Sequence, residues 1–215
     1  MRILRSLGER LGRARLYLLA TPGLYRRPLV EVVTRAIEGG VDIVQLREKD
    51  ISDGDFLDLS IEVGNAVRHA KAEFLLNDRV AVGQVTACDG VHLGQEDLPL
   101  HLARSLLGDD ALIGVSTHNP DQAREAEAGG ADYIGVGPAF PTGTKDTGYR
   151  PKGPKEIAAI AACVSIPAFA IGGITLENLP LLREAGIDRV AVSSAILSAG
   201  DPSEVARQMK RILTA

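Results

Sequence analysis

Eight short apolar runs, rich in β-branched residues, recur along the whole chain. They are Leu16–Ala20, Asp42–Leu46, Glu73–Leu76, Gly90–Leu93, Leu112–Val115, Tyr133–Val136, Ala168–Ile171 and Arg189–Val192. Each is nearly continuous in apolar character, as a strand covered on both faces must be. Segments of helical period lie between them. Leu29, Val32, Val33 and Ile37 form one stripe, and Phe56, Leu59 and Val63 another. Asn119-Pro120 reads as an N-cap followed by proline at the first helical position. Gly39-Gly40, Gly129-Gly130 and Gly186 stand where helices stop. Strand then helix, eight times over, requires parallel pairing through right-handed crossovers. The pattern predicts an α/β fold, a compact (β/α)8 TIM barrel smaller than the roughly 250 residues usual for such barrels. The third unit is the shortest, with only Arg79 to Ala87 for its helix. A doubly wound open sheet is the rival, but the unit count favours the barrel, and GxGxxG is missing. One catalytic domain is expected over residues 15–215, preceded by a lead-in helix within residues 1–14.

A chain of 215 residues, 45% hydrophobic and 24% charged, buries enough surface to fold without staples. The net charge of −4 argues against a nucleic-acid partner. No run approaches 18 apolar residues, so no membrane span is expected. The segment Met1 to Leu16 carries Arg2, Arg5, Arg10, Arg13 and Arg15, with no apolar core or cleavage site of a secretory signal. Cys88 and Cys163 lack CxxC or histidine spacing and read as buried free thiols of a cytoplasmic protein. Monomer and homo-dimer both remain open.

In a barrel the active site sits at the C-terminal ends of the strands. Those positions carry a polar set. Gln45, Arg47 and Lys49 alternate at the end of strand two, so an amide and two cations share one face and suit an anion. Asn77 and Asp78 follow strand three, where they either cap the next helix or enter the site. Asp97 follows strand four as a turn residue or a ligand. Asp78 and Asp97 end adjacent strands and can hold one hard cation between them. Few carboxylates, completed by water and substrate phosphate, is the Mg²⁺ pattern.

Strand six releases Gly135 to Gly148, a loop with three threonines and Lys145. Hydroxyls, backbone amides and an ammonium suit phosphate or pyrophosphate, although GxxxxGK[ST] spacing is missing. Gly172-Gly173 reads as opening the seventh helix at Ile174-Thr175, with amides facing a second phosphate beside Ser193 and Ser194. His92 and His118 also end strands, open to an acid–base role or a structural one.

These residues fall in motifs that resemble thiamine phosphate synthase. The motifs are Val44-Gln-Leu-Arg-Glu-Lys49, Leu76-Asn-Asp-Arg79, Gly90-Val-His-Leu-Gly-Gln-Glu-Asp97, Ile113-Gly-Val-Ser-Thr-His118, Asp132 through Lys145, and Ala170-Ile-Gly-Gly-Ile174. The resemblance runs from about Leu16 to Leu213. It implies that a pyrimidine diphosphate and a thiazole phosphate, both small molecules, are joined with release of pyrophosphate. It implies Mg²⁺ on Asp78 and Asp97. Gln45, Arg47, Lys49, Asn77, Ser116 and Lys145 would surround the pyrimidine diphosphate, with Lys145, Ser116, Arg47 and Lys49 as the catalytic set. Thr142 and Thr144 would flank the thiazole, whose phosphate would meet Gly173, Ser193 and Ser194. The chain departs from the family pattern at Ser193, where an aliphatic residue is usual, and in the segment from Asp146 to Gly153. The alternatives are a thiazole tautomerase using a histidine, a Schiff-base lyase using Lys145, and a non-catalytic phosphate-binding barrel.

Overall fold

The computed structural model describes residues 7–21, 23–25, 27–143 and 148–215. Eight strands are found among them: β1 (Leu16–Ala20), β2 (Ile43–Leu46), β3 (Glu73–Asn77), β4 (Gly90–Leu93), β5 (Leu112–Thr117), β6 (Tyr133–Val136), β7 (Ala168–Ile171) and β8 (Val190–Val192). They pair in sequence order, all parallel, and β8 closes on β1. The helices are α1 (Leu7–Gly12), α2 (Leu29–Glu38), α3 (Asp53–Ala70), α4 (Val80–Val85), α5 (Leu100–Leu107), α6 (Pro120–Ala128), α7 (Gly153–Ala161), α8 (Leu179–Glu184), α9 (Ser194–Leu197) and α10 (Pro202–Thr214). The barrel expected from the alternation is therefore the fold.

The helix signals at α2 and α6 act as read. Asn119 caps α6 by accepting the Gln122 N–H at 2.9 Å. Gly40 and Gly130, at φ 111° and 87°, take the left-handed turn after α2 and α6. Leu29, Val32, Val33 and Ala36 make the buried face of α2, with Ile37 at its edge. On α3 the buried face is Phe56, Ser60, Val63, Gly64 and Val67, and Leu59 is only half-buried. Ser60 is tolerated there because its hydroxyl donates to the Phe56 carbonyl at 2.6 Å.

Strand starts show why Asp42 is not itself a strand residue. Its Oδ2 accepts the N–H groups of Arg15 at 2.7 Å and Leu16 at 3.0 Å. Asp89 does the same for Phe74 at 2.8 Å, and Asp132 for Ile113 at 2.7 Å. Each aspartate stands just before an even-numbered strand and accepts an amide from the first residues of the odd-numbered neighbour.

The barrel interior is a core of its own. Tyr17, Ile43, Leu75, Leu112, Tyr133, Phe169 and Ala191 fill it, and Leu11 and Ala14 join them from below. The lead-in helix thus covers the N-terminal end of the barrel. Tyr17, Tyr133 and Phe169 meet edge-on, with centroids 5.6–5.9 Å apart. Gly114 makes the room, since a Cβ there would fall 2.0 Å from Tyr133 Cζ. Cys88 and Cys163 are free thiols, but the expectation of burial is not met, since both are half-exposed. No helix among the described residues is long and apolar enough to cross a membrane.

Candidate active site

The polar residues at the strand ends converge on one mouth, which divides in two. The acidic half is built by β2, β3 and β4. Because β2 ends at Leu46, Arg47 and Lys49 stand on the loop leading to α3 rather than on the strand. Arg79 holds that loop: its guanidinium donates to the Ile51 carbonyl at 2.8 Å, pairs with Asp53 and lies 4.7 Å over the Phe56 ring. The sequence motif contained Arg79, but nothing local signalled this bracing role.

Lys49 Nζ reaches Asp78 Oδ2 at 2.9 Å. Asp78 does not cap α4; it turns the chain at φ 61°, a conformation aspartate tolerates better than most residues. Asp97 folds back so that Oδ2 accepts the Gly94 N–H at 2.6 Å, and a Cβ on Gly94 would crowd that oxygen at 2.7 Å. Burial is the first cause that pushes the Asp97 carboxyl above its ordinary range. The Asp78 carboxyl, within hydrogen-bond reach, pushes the same way, while the Gly94 amide and Lys49 oppose it. Two carboxyl groups this close, with the Lys49 ammonium on only one of them, suit a shared cation. The pair therefore fits Mg²⁺. Asn77 is buried at the end of β3.

Gln45 lies deeper than expected. It points into the barrel, where its Nε2 meets the Tyr17 hydroxyl and its Oε1 is buried without a partner among the described residues. His92 bridges Ser116 Oγ (2.9 Å from Nε2) and the Tyr133 hydroxyl (3.0 Å from Nδ1). His118 Nδ1 donates to the Gly137 carbonyl at 2.8 Å, and the ring stacks on Tyr149 with centroids 3.8 Å apart.

The other half is a cavity of about 290 Å³ over β5–β8 and β1. Arg47 and Ser116 face it from the acidic side, and Thr142, Gly173, Ser193 and Ser194 from the far side. Gly172 and Gly173 have φ of 100° and 63°. A Cβ on Gly173 would lie 2.2 Å from the Pro141 carbonyl oxygen, and one on Gly172 2.7 Å from Pro138. The glycines thus let the loops after β6 and β7 touch.

One expectation is corrected here: no helix opens at Ile174-Thr175. Asn178 accepts the Thr175 N–H at 2.8 Å and donates to the Gly173 carbonyl at 2.9 Å, so a side-chain turn occupies that stretch and α8 begins at Leu179. The helix start nearest the cavity is α9, directly after β8. Ser193, the departure from the family pattern, spends its hydroxyl inside the fold, donating to the Leu19 carbonyl at 2.9 Å. Thr144 and Lys145 lie outside the described residues. Tyr17 and Tyr133 were missed as site residues. Their signal was a phenol at an inward strand position, which needs a polar partner.

A family model described as thiamine monophosphate synthase matches residues 16–196. A thiamine-phosphate synthase of Haloquadratum walsbyi is 46% identical over 186 residues, 86% of this chain and 83% of the relative. One from Syntrophomonas wolfei is 42% identical over 198 residues, 92% and 95% of the two chains. The solved thiamine phosphate pyrophosphorylase of Pyrococcus furiosus superposes with a TM-score of 0.86 at 32% identity, covering 97% of this chain and 98% of that one. By sequence and by barrel geometry alike, the chain belongs to the thiamine monophosphate synthase family.

Proposed function

We propose that the protein couples 4-amino-5-hydroxymethyl-2-methylpyrimidine diphosphate to hydroxyethylthiazole phosphate, or its carboxylated form, giving thiamine phosphate and pyrophosphate. The observation that carries this reading is the divided mouth. A carboxylate pair with Lys49 lies on one side and a glycine-rich cavity on the other, with Arg47 and Ser116 lining the cavity.

Substitution at the pyrimidine methylene breaks a C–O bond and leaves negative charge on the departing pyrophosphate. Groups fixed in advance around that charge act more strongly on the transition state than on the bound substrate. Arg47 and Lys49 supply two such cations from one loop, and Arg79 holds that loop in place. Lys145 joins them in this reading by family resemblance. Ser116 donates a hydrogen bond, and Asn77 and Gln45 orient the pyrimidine. Asp78 and Asp97 would hold Mg²⁺, which when bound supplies further positive charge to the diphosphate. Thr142 and Thr144 would separate the two substrates, and the amides at Gly173, Ser193 and Ser194 would take the thiazole phosphate. The thiazole nitrogen is itself the nucleophile, so no protein nucleophile is required. A Schiff-base or tautomerase role would leave the carboxylate pair without a task.

Incubating the protein with both substrates and Mg²⁺ tests this directly. Thiamine phosphate and pyrophosphate should appear in equal amounts. Asp78→Ala should lower the rate at least tenfold with the fold intact, as one lost preorganised contact typically costs about 10²–10³. Wild-type turnover in that variant would sink the site assignment, and thiazole isomerisation without pyrophosphate release would select the tautomerase.

A further inference from the structure

Five side chains from five strands form one continuous hydrogen-bonded path across the barrel. Gln45 Nε2 on β2 meets the Tyr17 hydroxyl on β1. Tyr17 meets Tyr133 on β6, oxygen to oxygen, at 3.0 Å. Tyr133 meets His92 Nδ1 on β4 at 3.0 Å, and His92 Nε2 meets Ser116 Oγ on β5 at 2.9 Å. Both ends are residues of the proposed substrate site, and the middle lies in the buried interior. We propose that Tyr17, Tyr133 and His92 are positioning residues: a one-directional relay that fixes Gln45 as an acceptor and Ser116 as a donor toward the substrate.

The direction follows from counting protons. When Gln45 donates to Tyr17, the single Tyr17 proton is free for Tyr133. The Tyr133 proton then goes to His92 Nδ1, which must be the bare nitrogen. The imidazole proton therefore sits on Nε2 and is donated to Ser116 Oγ. The Ser116 hydroxyl proton is left to point away from the histidine. One amide orientation thus sets every later link. Burial pushes both phenol pKa values well above their ordinary range, so the tyrosines act as neutral dipoles and never as phenolates. Gly114 and Gly135 are shaped around the path. A Cβ on Gly114 would fall on Tyr133, and one on Gly135 would sit 3.4 Å from His92 Cε1.

The ends then have defined chemistry. Gln45 Oε1 is buried with no partner among the described residues, so it asks for a donor. Ser116 offers a proton, so it asks for an acceptor. An exocyclic amino group near one and a phosphate oxygen near the other satisfy both at once. This last step rests on the proposed function, whereas the relay does not. A pyrimidine with a carbonyl in place of the amino group would face the wrong end of the dipole chain. It could bind only by reversing all five groups together.

The test begins on the wild-type, ligand-free protein with ¹⁵N-labelled histidine. His92 should show an unprotonated Nδ1 and a protonated Nε2, with its signals assigned by their loss in His92→Gln. The opposite tautomer, or a mixture, overturns the direction. Tyr133→Phe keeps the ring and removes one link. It should release the tautomer into a mixture, and raise KM for the pyrimidine diphosphate about tenfold with kcat within about threefold. An unchanged tautomer and unchanged KM in Tyr133→Phe would overturn the relay. Should wild type give the expected tautomer but no thiamine phosphate, the functional reading falls and the relay stands.

Discussion

At the scale of single residues, the most informative group is Asp97. Its carboxyl is pushed up by burial and by Asp78, and that shift has a sign. A carboxyl with a raised folded pKa contributes stability that is fully present below the ordinary aspartate value and lost as pH rises through the raised one. At neutral pH the metal-free fold therefore carries a destabilising like-charge contact, screened by solvent to below about 1 kcal/mol. Asp97→Asn can keep the Gly94 N–H bond through its carbonyl oxygen while removing the charge. In metal-free buffer at pH 7 it should raise the urea midpoint slightly, and the gain should vanish near pH 3.5. Its coupling rate with Mg²⁺ should fall at least tenfold. A variant that loses stability at pH 7 would refute the account of Asp97 as a strained half of a cation site. The same reasoning explains why the sequence could name the pair and not its environment. Spacing placed Asp78 and Asp97 on adjacent strand ends, but the Gly94 contact that turns Asp97 inward is a matter of three-dimensional room.

Between elements, the two ends of the barrel separate stability from chemistry. Asp132 sits at the end away from the mouth, where it accepts the Ile113 N–H at 2.7 Å and pairs with Arg104 at 2.7 Å. Asp132→Ala leaves a strand amide and a part-buried guanidinium unpaired, at a cost of about 1–3 kcal/mol. Chemical denaturation should register that loss, while kcat at 25 °C stays within about twofold. A large fall in kcat would break the separation. Gly114→Ala tests the interior: a Cβ 2.0 Å from Tyr133 Cζ forces the ring to move, costing about 1–3 kcal/mol. Gly200→Ala, with nothing within 4 Å, should change stability by less than about 0.5 kcal/mol. Equal midpoints for the two variants would contradict the packing described. Strand order and helix order were legible because each element carries its own period: continuous apolar runs for strands, stripes such as Leu29, Val32 and Val33 for helices. The late start of α8 was not, because Asn178 bonds the backbone on both sides of itself and displaces a helix that glycine spacing alone suggests. Nor was the path from Gln45 to Ser116 legible. Alternation says that Tyr17 and Tyr133 point inward, but their meeting depends on barrel closure across 116 positions of sequence.

For the molecule as a whole, the divided mouth predicts how ligands should act on global stability. Pyrophosphate alone would meet the cations Arg47 and Lys49 but also the Asp78–Asp97 pair, which repels it. Mg²⁺ alone would relieve that pair but find only two carboxylates, too few to hold it tightly. Added together, each removes the other's penalty, so their effects on unfolding should exceed the sum. A ligand at about 100 times its Kd stabilises by about 2.7 kcal/mol. For a chain of this size each kcal/mol is worth about 2–4 °C. The pair should therefore raise Tm by roughly 5–10 °C at saturation, against about 1–2 °C for either alone. Asp78→Ala should abolish the excess and enlarge the response to pyrophosphate alone, because half of the repelling pair is gone and the cationic loop remains braced by Arg79. High salt should weaken the pyrophosphate response more than the joint one, since exposed Lys49 is screened and a cation held between two carboxylates is screened less. A strictly additive Tm shift in wild type would show that the acidic pair and the cationic loop do not share one ligand, and the division of the mouth would have to be redrawn.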